Sequence, residues 1–399
     1  MARALIEALF FGLAVVTLAP ITVLFAEVIL AIMGSRRADP DGSGDRPSVA
    51  VLVPAHNEAS VIAATLRSIV PQLTRSDRVL VVADNCSDET AAVARREGAE
   101  VVERSDPDRR GKGYALDCGI RYLDSKPPQV VVIIDADCHA SEGTIGRLAL
   151  ECLHTGRPIQ ALYLMHAPSG AGIKTRIAQF AFAVRNQVRP MGLHRLGLPC
   201  QLMGSGMAFP WPVISASNLA TAHITEDLKL GIELARHGFA ARLCPNALIM
   251  SLFPASNEGL RQQRTRWEHG QLSILLSDAP RLLRDAIARG DSRLLALGLD
   301  LCVPPLAVLS FATGMLWIAS AVLYRLVAIR YPFELMTVGI GLLASSVLLS
   351  WARYGRNILS PKDLLVAPLY VLWKLPLYVK FLRARQLEWV RSKRDTTTR

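Results

Sequence analysis

The 399-residue sequence predicts an α/β domain built on a mostly parallel sheet and joined to transmembrane and interfacial α-helices. Short β-branched runs alternate with helical periodicity from Ser48 to about Pro254, the pattern of a parallel sheet covered on both faces. Residues Ala8 to Ala26 carry no charge, and apolar stretches return after Leu294; roughly 20 such residues cross a hydrocarbon core. A hydrophobic share of 51%, in long runs without a G-X-Y or heptad period, excludes a disordered or fibrous chain.

The first apolar run extends to about Met33, interrupted only by Glu27. It is too long for a signal peptide and no small-x-small cleavage site follows, so residues 1–34 are assigned to a transmembrane helix. Arg3 alone precedes the run while Arg36 and Arg37 follow it, which places the next segment in the cytosol. Residues 35–47, rich in Gly, Asp and Pro, read as a linker. Within the α/β domain, residues 48–257, strands are expected at Val49–Val53, Val79–Ala83, Glu100–Glu103 and Val130–Ile134. Helices are expected between them, at Ala59–Leu73, Glu89–Glu97 and Tyr114–Leu123. Residues 258–293 are basic and amphipathic, the signature of interfacial helices, with a break at Pro280. Residues 294–382 hold two further crossings, within Leu294–Val327 and Met336–Trp351. Leu364–Leu382 contains Lys374 and Pro376 and is read as interfacial or re-entrant, because a further crossing would export the tail, residues 383–399.

That tail carries much of the net charge of +11. From Lys380 to Arg399 there are seven Lys and Arg against Glu388 and Asp395, so 7 − 2 = +5 sits beside an apolar segment. Such a tail suits an anionic membrane surface and argues against a nucleic-acid partner. Seven Cys without a CxxC pair indicate neither a disulfide framework nor a zinc site.

Ligands of parallel sheets bind at the carboxyl ends of the strands, and the polar motifs fall there. The first strand runs into Pro54-Ala55-His56-Asn57-Glu58, which suits a base or ribose contact or an ordinary helix cap. The second ends at Asp84, placed to accept from a ring NH, with Ser87 or Asp88 as the cap of the next helix. Arg110-Gly111-Lys112-Gly113 is a basic turn before a helix and suits a phosphate. The fourth strand meets Asp135-Ala136-Asp137, two carboxylates that a shared Mg²⁺ or Mn²⁺ would reconcile and a solvated turn would otherwise explain. His139 is read as a surface residue at a helix start. In Thr225-Glu226-Asp227, capping accounts for the Thr and one carboxylate, and Asp227 is a candidate general base. Gln263, Arg266 and Trp267 share one helix face, able to meet a sugar and a phosphate or to sit at a membrane interface. His223, His237 and His269 lack metal-ligand spacing and are read as surface residues.

In this order, PAHNE, DNCSDET, GKGYAL, DAD, TED and QRTRW resemble the membrane-bound family 2 glycosyltransferases of GT-A fold, nearest to the cellulose, hyaluronan and poly-N-acetylglucosamine synthases. The resemblance covers about residues 48–270. It implies that Ala55, Asn57, Glu58 and Asp84 line a uridine pocket and that Lys112 and Asp135 hold the rest of the nucleotide-sugar. It further implies Asp137 as metal ligand, Asp227 as base, and Gly204, Ser205, Glu226, Gln263, Arg266 and Trp267 around the acceptor and diphosphate. The implied partners are a nucleotide-sugar donor, a glycan or lipid-linked acceptor, membrane lipids, and export or synthase subunits. The implied location is a bacterial plasma membrane with the catalytic domain in the cytosol. Gln201-Leu202-Met203 lacks the acceptor collar of cellulose synthase, and no FxVTxK-like loop follows Trp267. Addition of one sugar and processive chain synthesis are both compatible with these residues. A non-enzymatic nucleotide-binding scaffold is the reading from a different class.

Overall fold

The computed structural model describes residues 1–33, 46–254 and 256–383. They form two units: a helical one made of the chain up to Ser35, Gly172–Leu196 and the chain from Gln271, and a sheet one made of the segments between. The linker and tail fall almost wholly on residues 34–45 and 384–399, outside the described residues.

Helix α1 (Ala2–Ile32) opens the helical unit. The sheet unit then runs through β1 (Val49–Ala55), α2 (Ile62–Ile69), β2 (Arg78–Asp84), α3 (Thr90–Arg96), β3 (Glu100–Arg104) and α4 (Lys112–Leu123). It continues with β4 (Val130–Ile133), β5 (His139–Ala140), α5 (Thr144–Thr155) and β6 (Ile159–His166). The chain next enters the helical unit as α6 (Ile173–Ala183), a π-helical turn at Val184–Val188 and α7 (Arg189–Arg195). It returns to the sheet unit as β7 (Met207–Pro210), α8 (Trp211–Ser215), α9 (Glu226–Arg236) and β8 (Arg242–Leu252). Helix α10 (Asn257–Ser277) passes from the sheet unit to the helical one, which is completed by α11 (Ala279–Arg289), α12 (Ser292–Leu301), α13 (Leu306–Val327), α14 (Tyr331–Ser350), α15 (Pro361–Trp373) and α16 (Leu375–Arg383).

The eight strands form one sheet in the order β3-β2-β1-β4-β7-β6-β8-β5. β1 pairs in parallel with β2 and β4, as does β2 with β3, so three loops leave the same edge beside the end of β4. β7 is antiparallel to both its neighbours, and β6 pairs in parallel with β8. The expected strands reflect burial: Val49–Val53 and Val130–Ile134 are at most 1% exposed, so both faces of these strands need apolar side chains. Helix α4 covers one face through Leu116, Ile120 and Leu123, in one cluster with Leu52, Leu80, Val82 and Phe209. A Cβ at Gly119 would lie 2.4 Å from Leu52 Cδ1, so the glycine sets how closely α4 approaches β1.

Two expectations need correction. The sheet domain is not continuous from 48 to 257, because Gly172–Leu196 belongs to the helical unit. That segment was hard to separate by pattern, since its Ile177, Phe180, Val184 and Val188 have the spacing of any amphipathic helix yet pack with Ile21, Leu24 and Val28 of α1. The crossing expected within Leu294–Val327 is α13, which Pro304 and Pro305 separate from α12 and its Asp300. The break expected at Pro280 falls at Asp278, because a proline is accommodated in the first turn of α11. Among the described residues, three helices are long and apolar enough to cross a membrane, at Arg3–Ile32, Leu306–Val327 and Tyr331–Gly355.

Glu27 and Asp300 are accounted for by Arg189 of α7. Its Nε donates to Glu27 Oε2 at 2.8 Å and its Nη2 to the side chain of Asp300, and all three residues are at most 4% exposed. Charges buried in an apolar unit persist only when paired, so this triad fixes α1, α7 and α12 in one register. Gly192, one turn on, lets α7 touch α1, since a Cβ there would lie 2.1 Å from the Glu27 carbonyl oxygen. Gly192→Ala is therefore expected to cost on the order of 1–3 kcal/mol through backbone displacement. Gly12→Ala, with nothing within 4 Å of the added atom, is expected to be neutral. Thermal unfolding of the detergent-solubilised protein, comparing the two variants, checks this.

Candidate active site

The loops at the carboxyl edge of the sheet are laced to one another. Asn57 and Asn85 adopt positive φ of 56° and 51°, a conformation asparagine tolerates because its amide bonds locally. Asn57 Oδ1 accepts from Ser87 N at 2.7 Å, and Asn85 Oδ1 from Asp106 N at 2.8 Å. Glu58 N donates to Thr90 Oγ1, Ala59 N to Asp88 Oδ2, and His56 Nδ1 to the Asp84 carbonyl. Neither Ser87 nor Asp88 is the N-cap expected of it: that position is Glu89, without a side-chain cap, and Asp88 one residue earlier accepts from Thr90 N through its Oδ1. Ala55, 4% exposed, ends β1 beside this lattice and accepts from Cys86 Sγ through its carbonyl. The Asn57 amide thus braces the loop after β2. Asp84 is likewise engaged: its Oδ1 accepts from Arg104 Nη1 at 2.6 Å and from Asn85 Nδ2 at 3.0 Å.

The second half of the edge is organised by Lys112, the first residue of α4. Its ammonium lies 2.5 Å from Asp135 Oδ1, donates to the Gly204 carbonyl at 2.6 Å and stands 3.8 Å from Glu226 Oε1. The α4 turn can sit this close to the chain before α9 because residue 113 is glycine, where a Cβ would lie 2.5 Å from the carbonyl oxygens of Leu219 and Thr221. Burial opposes the Lys112 charge, but Asp135 and Glu226 more than offset it, so its pKa lies above the ordinary lysine range. Burial raises the Asp135 pKa, with Lys112 pulling it down and Asp137 and Asp227 pushing it up. Glu226 is pushed up to about 7, chiefly by burial, against the pull of Lys112 and with Asp227 adding to the rise. Asp227 borders the same space: a Cβ at Gly204 would lie 3.3 Å from its Oδ2.

The Lys112 ammonium thus interacts with the carboxylates of Asp135, Glu226 and Asp227, with Asp137 beside Asp135. Ligand atoms of Asp135, Asp137 and Cys138 lie within 4.8 Å of one another and could hold a metal ion. The oxygen-rich donor set and the surplus negative charge fit Mg²⁺ or Mn²⁺. Cys138 is a protonated neighbour, since burial and then Asp137 and Asp135 hold its thiol well above the usual range, and its Sγ donates to Asp137 Oδ1 at 3.6 Å. His139, read as a helix-start residue, lies exposed in β5.

Two expected contacts are supports instead. Ser205 is fully buried and its hydroxyl accepts from Asp135 N at 3.1 Å, which fixes the carboxylate loop and leaves no surface for an acceptor. Thr225 precedes α9 without a side-chain cap; its hydroxyl pairs with His223 Nδ1 at 3.1 Å. Sequence reading also missed Gln160 and Arg104. Gln160, fully buried in β6, donates to the Ser205 carbonyl and accepts from Met203 N, which shapes the loop around Gly204. A lone amide inside the apolar run Ile159–Met165 was the available signal, because buried polar groups require partners.

Helix α10 meets the Glu226-Asp227 turn through Gly270, where a Cβ would lie 2.2 Å from Thr225 Cγ2. Gln263, Arg266, Trp267 and Gly270 recur at helical spacing, so the face packed on Thr225 is the face carrying the three expected ligand residues. Gln263 Oε1 and Arg266 Nε are buried and lack hydrogen-bond partners among the described residues, a condition that a polar ligand would relieve. His269, read as a surface residue, is 1% exposed on the same helix.

The raised Glu226 pKa has a sign. The folded protein holds this proton between the ordinary value of 4.5 and about 7, so stability contributed by the neutral form is present below 4.5 and is lost as pH rises through 7. Glu226→Gln should flatten that loss, by up to about 3 kcal/mol. Unfolding measured in chelator between pH 5 and 8 checks it; parallel pH profiles for the two proteins would contradict it.

The model of a family described as glycosyltransferase like family 2 matches residues 47–270, more than half of the chain. An uncharacterized glycosyltransferase of Mycobacterium bovis is 30% identical over 192 residues, covering 42% of this chain and 82% of that protein. The probable glycosyltransferase YdaM of Bacillus subtilis is 25% identical over 58% of this chain, and the match spans only 56% of YdaM. A poly-β-1,6-N-acetyl-D-glucosamine synthase of Staphylococcus aureus is 24% identical, over 58% of this chain and 56% of its own length. Among solved structures, the mannosyltransferase PcManGT of Pyrobaculum calidifontis, in complex with GDP-Man and Mn²⁺, aligns with a TM-score of 0.51 and 17% identity. It covers 87% of this chain and 99% of its own, a likeness of fold. The glycine-set contacts of α4 and α10, the carboxylate edge they enclose and this match together assign the chain to the family 2 glycosyltransferases.

Proposed function

We propose that the protein is a membrane-bound, inverting glycosyltransferase that moves a sugar from a nucleotide diphosphate, most simply a UDP-sugar, to a hydroxyl of a glycan or lipid-linked acceptor. The observation that carries this is the single site edge shared by Lys112, Asp135, Glu226 and Asp227, with the Gln263–Arg266–Trp267 face of α10 docked on Thr225.

In this reading Asp227 takes the proton of the acceptor hydroxyl. The acceptor oxygen forms its bond to the anomeric carbon as the bond to the diphosphate breaks on the opposite side. The bonding pair leaves with the nucleotide diphosphate, and configuration inverts. Arg266 offsets the charge of the leaving group, and Trp267 offers a ring face to the acceptor sugar. Mg²⁺ or Mn²⁺ bound at Asp135 and Asp137 would supply further charge neutralisation at the diphosphate. Asp84 and Glu58 line the nucleoside side, with Asn57 and Arg104 keeping their loops in place.

The helical unit supports a membrane orientation. Arg3 Nη2 donates to the Ala328 carbonyl, so the start of α1 lies with the turn between α13 and α14. Tyr354 Oη donates to the Ala31 carbonyl, so the end of α1 lies with the end of α14. Arg353, Arg356 and Lys362 follow that second end, and Arg36 and Arg37 follow α1, so the positive-inside bias assigns it and the catalytic segments to the cytosol. A bacterial plasma membrane is the setting that fits.

Purified protein in detergent should release nucleotide diphosphate from one member of a panel of UDP-sugars and GDP-mannose, given Mn²⁺ or Mg²⁺ and an acceptor from a membrane lipid extract. Product length separates the two outcomes: a single added sugar, or a growing polymer of the synthase kind. Asp227→Asn should lower turnover at least about 10²-fold with nucleotide affinity held. Nucleotide binding without turnover on any donor and acceptor would instead favour a non-enzymatic scaffold.

A further inference from the structure

Helix α15 has an apolar face that the helical unit leaves uncovered. Leu365, Leu369, Leu372 and Trp373 recur at helical spacing and are 80%, 65%, 52% and 49% exposed. The opposite face is packed, with Asp363 and Tyr370 buried. Thirteen residues reach only about 20 Å, short of the roughly 30 Å of a hydrocarbon core. A capping box at Ser360 starts the helix and the buried Lys374 separates it from α16, so the apolar stretch is held to this length at both ends.

The charge around this face is one-sided. Gly172–Leu196 carries five Lys and Arg and no carboxylate, and residues 351–383 carry six against Asp363 alone. The acids nearby are already committed: Asp363 pairs with Arg176 at 3.0 Å and closes the capping box, and Glu27 and Asp300 both serve Arg189. Lys174 lies 4.2 Å over the ring of Trp373, at the edge of the apolar face, and both Lys174 and Lys362 are exposed. A tryptophan with a cation over its ring, at the border of an apolar strip, suits the headgroup level of a bilayer.

We propose that α15, with the first turn of α6, is a docking surface for anionic phospholipids of the leaflet facing the end of α14. Leu365, Leu369 and Leu372 enter the acyl region, and Lys174 and Lys362 meet lipid phosphates. This rests on the reading that α1, α13 and α14 cross the membrane.

Benzoylphenylalanine placed at Leu369, or as a control at the exposed Met315 of α13, would capture lipid in nanodiscs of mixed phosphatidylcholine and phosphatidylglycerol. The Leu369 probe should yield lipid adducts enriched about fivefold in phosphatidylglycerol over the disc composition, the preference that a single surface cation confers. Lys174→Gln with Lys362→Gln should abolish the enrichment while leaving the adducts. Lipid capture at Met315 without capture at Leu369 overturns the proposal and leaves the crossings intact. Capture at Leu369 without enrichment overturns the anionic preference. Absence of adducts at both positions removes the membrane reading itself.

Discussion

Four carboxylates face one edge of this sheet, and their mutual repulsion is the constraint around which the catalytic half is arranged. Lys112 answers it. By binding Asp135, the Gly204 carbonyl and the neighbourhood of Glu226, one ammonium ties together the ends of β4 and α9 and the loop before β7. Beyond burial, the acids gathered around this ammonium raise the Asp135 pKa and favour a further cation, the electrostatic condition for recruiting a metal ion. Residues that never face that space hold it in shape: Ser205 and Gln160 from below, Arg104 at Asp84, and Gly113 where α4 passes the chain before α9.

The two ends of the edge are built differently. The part formed by the loops after β1 and β2 is held by backbone and amide hydrogen bonds, two left-handed asparagines, the Asp88 carboxylate and the Arg104–Asp84 pair. The part formed by Lys112 and the acids is held by charge and is poised to rearrange when other charges arrive.

Much of this was legible in the residues. Val49–Val53 and Val130–Ile134 announce themselves because burial on both faces demands unbroken apolar runs, and Asp84, Lys112 and Asp135 follow at the ends that a parallel sheet points toward a ligand. Less was legible after Ile134. β6, β7 and β8 were not foreseen, since Arg242–Leu252 contains a proline and an asparagine and β7 has only four residues. The bracing hydrogen bonds of Asn57 and Ser205 were not legible, because spacing shows which residues reach an edge and does not show which partner is already there. Gly270 and Gly192 carried no signal, because a close approach between helices is a property of two segments far apart in sequence.

The excursion of Gly172–Leu196 into the helical unit has a consequence for how the chain comes to be assembled. β7, the strand that joins β4 to β6, follows α6 and α7 in the chain, so the middle of the sheet is completed only by residues that come after the excursion. Strands on either side of the gap would wait as open edges, a state prone to mispairing. A fragment spanning the whole sheet without α1 would carry Ile177, Phe180 and Val188 and leave exposed the apolar face that packs on Ile21, Leu24 and Val28.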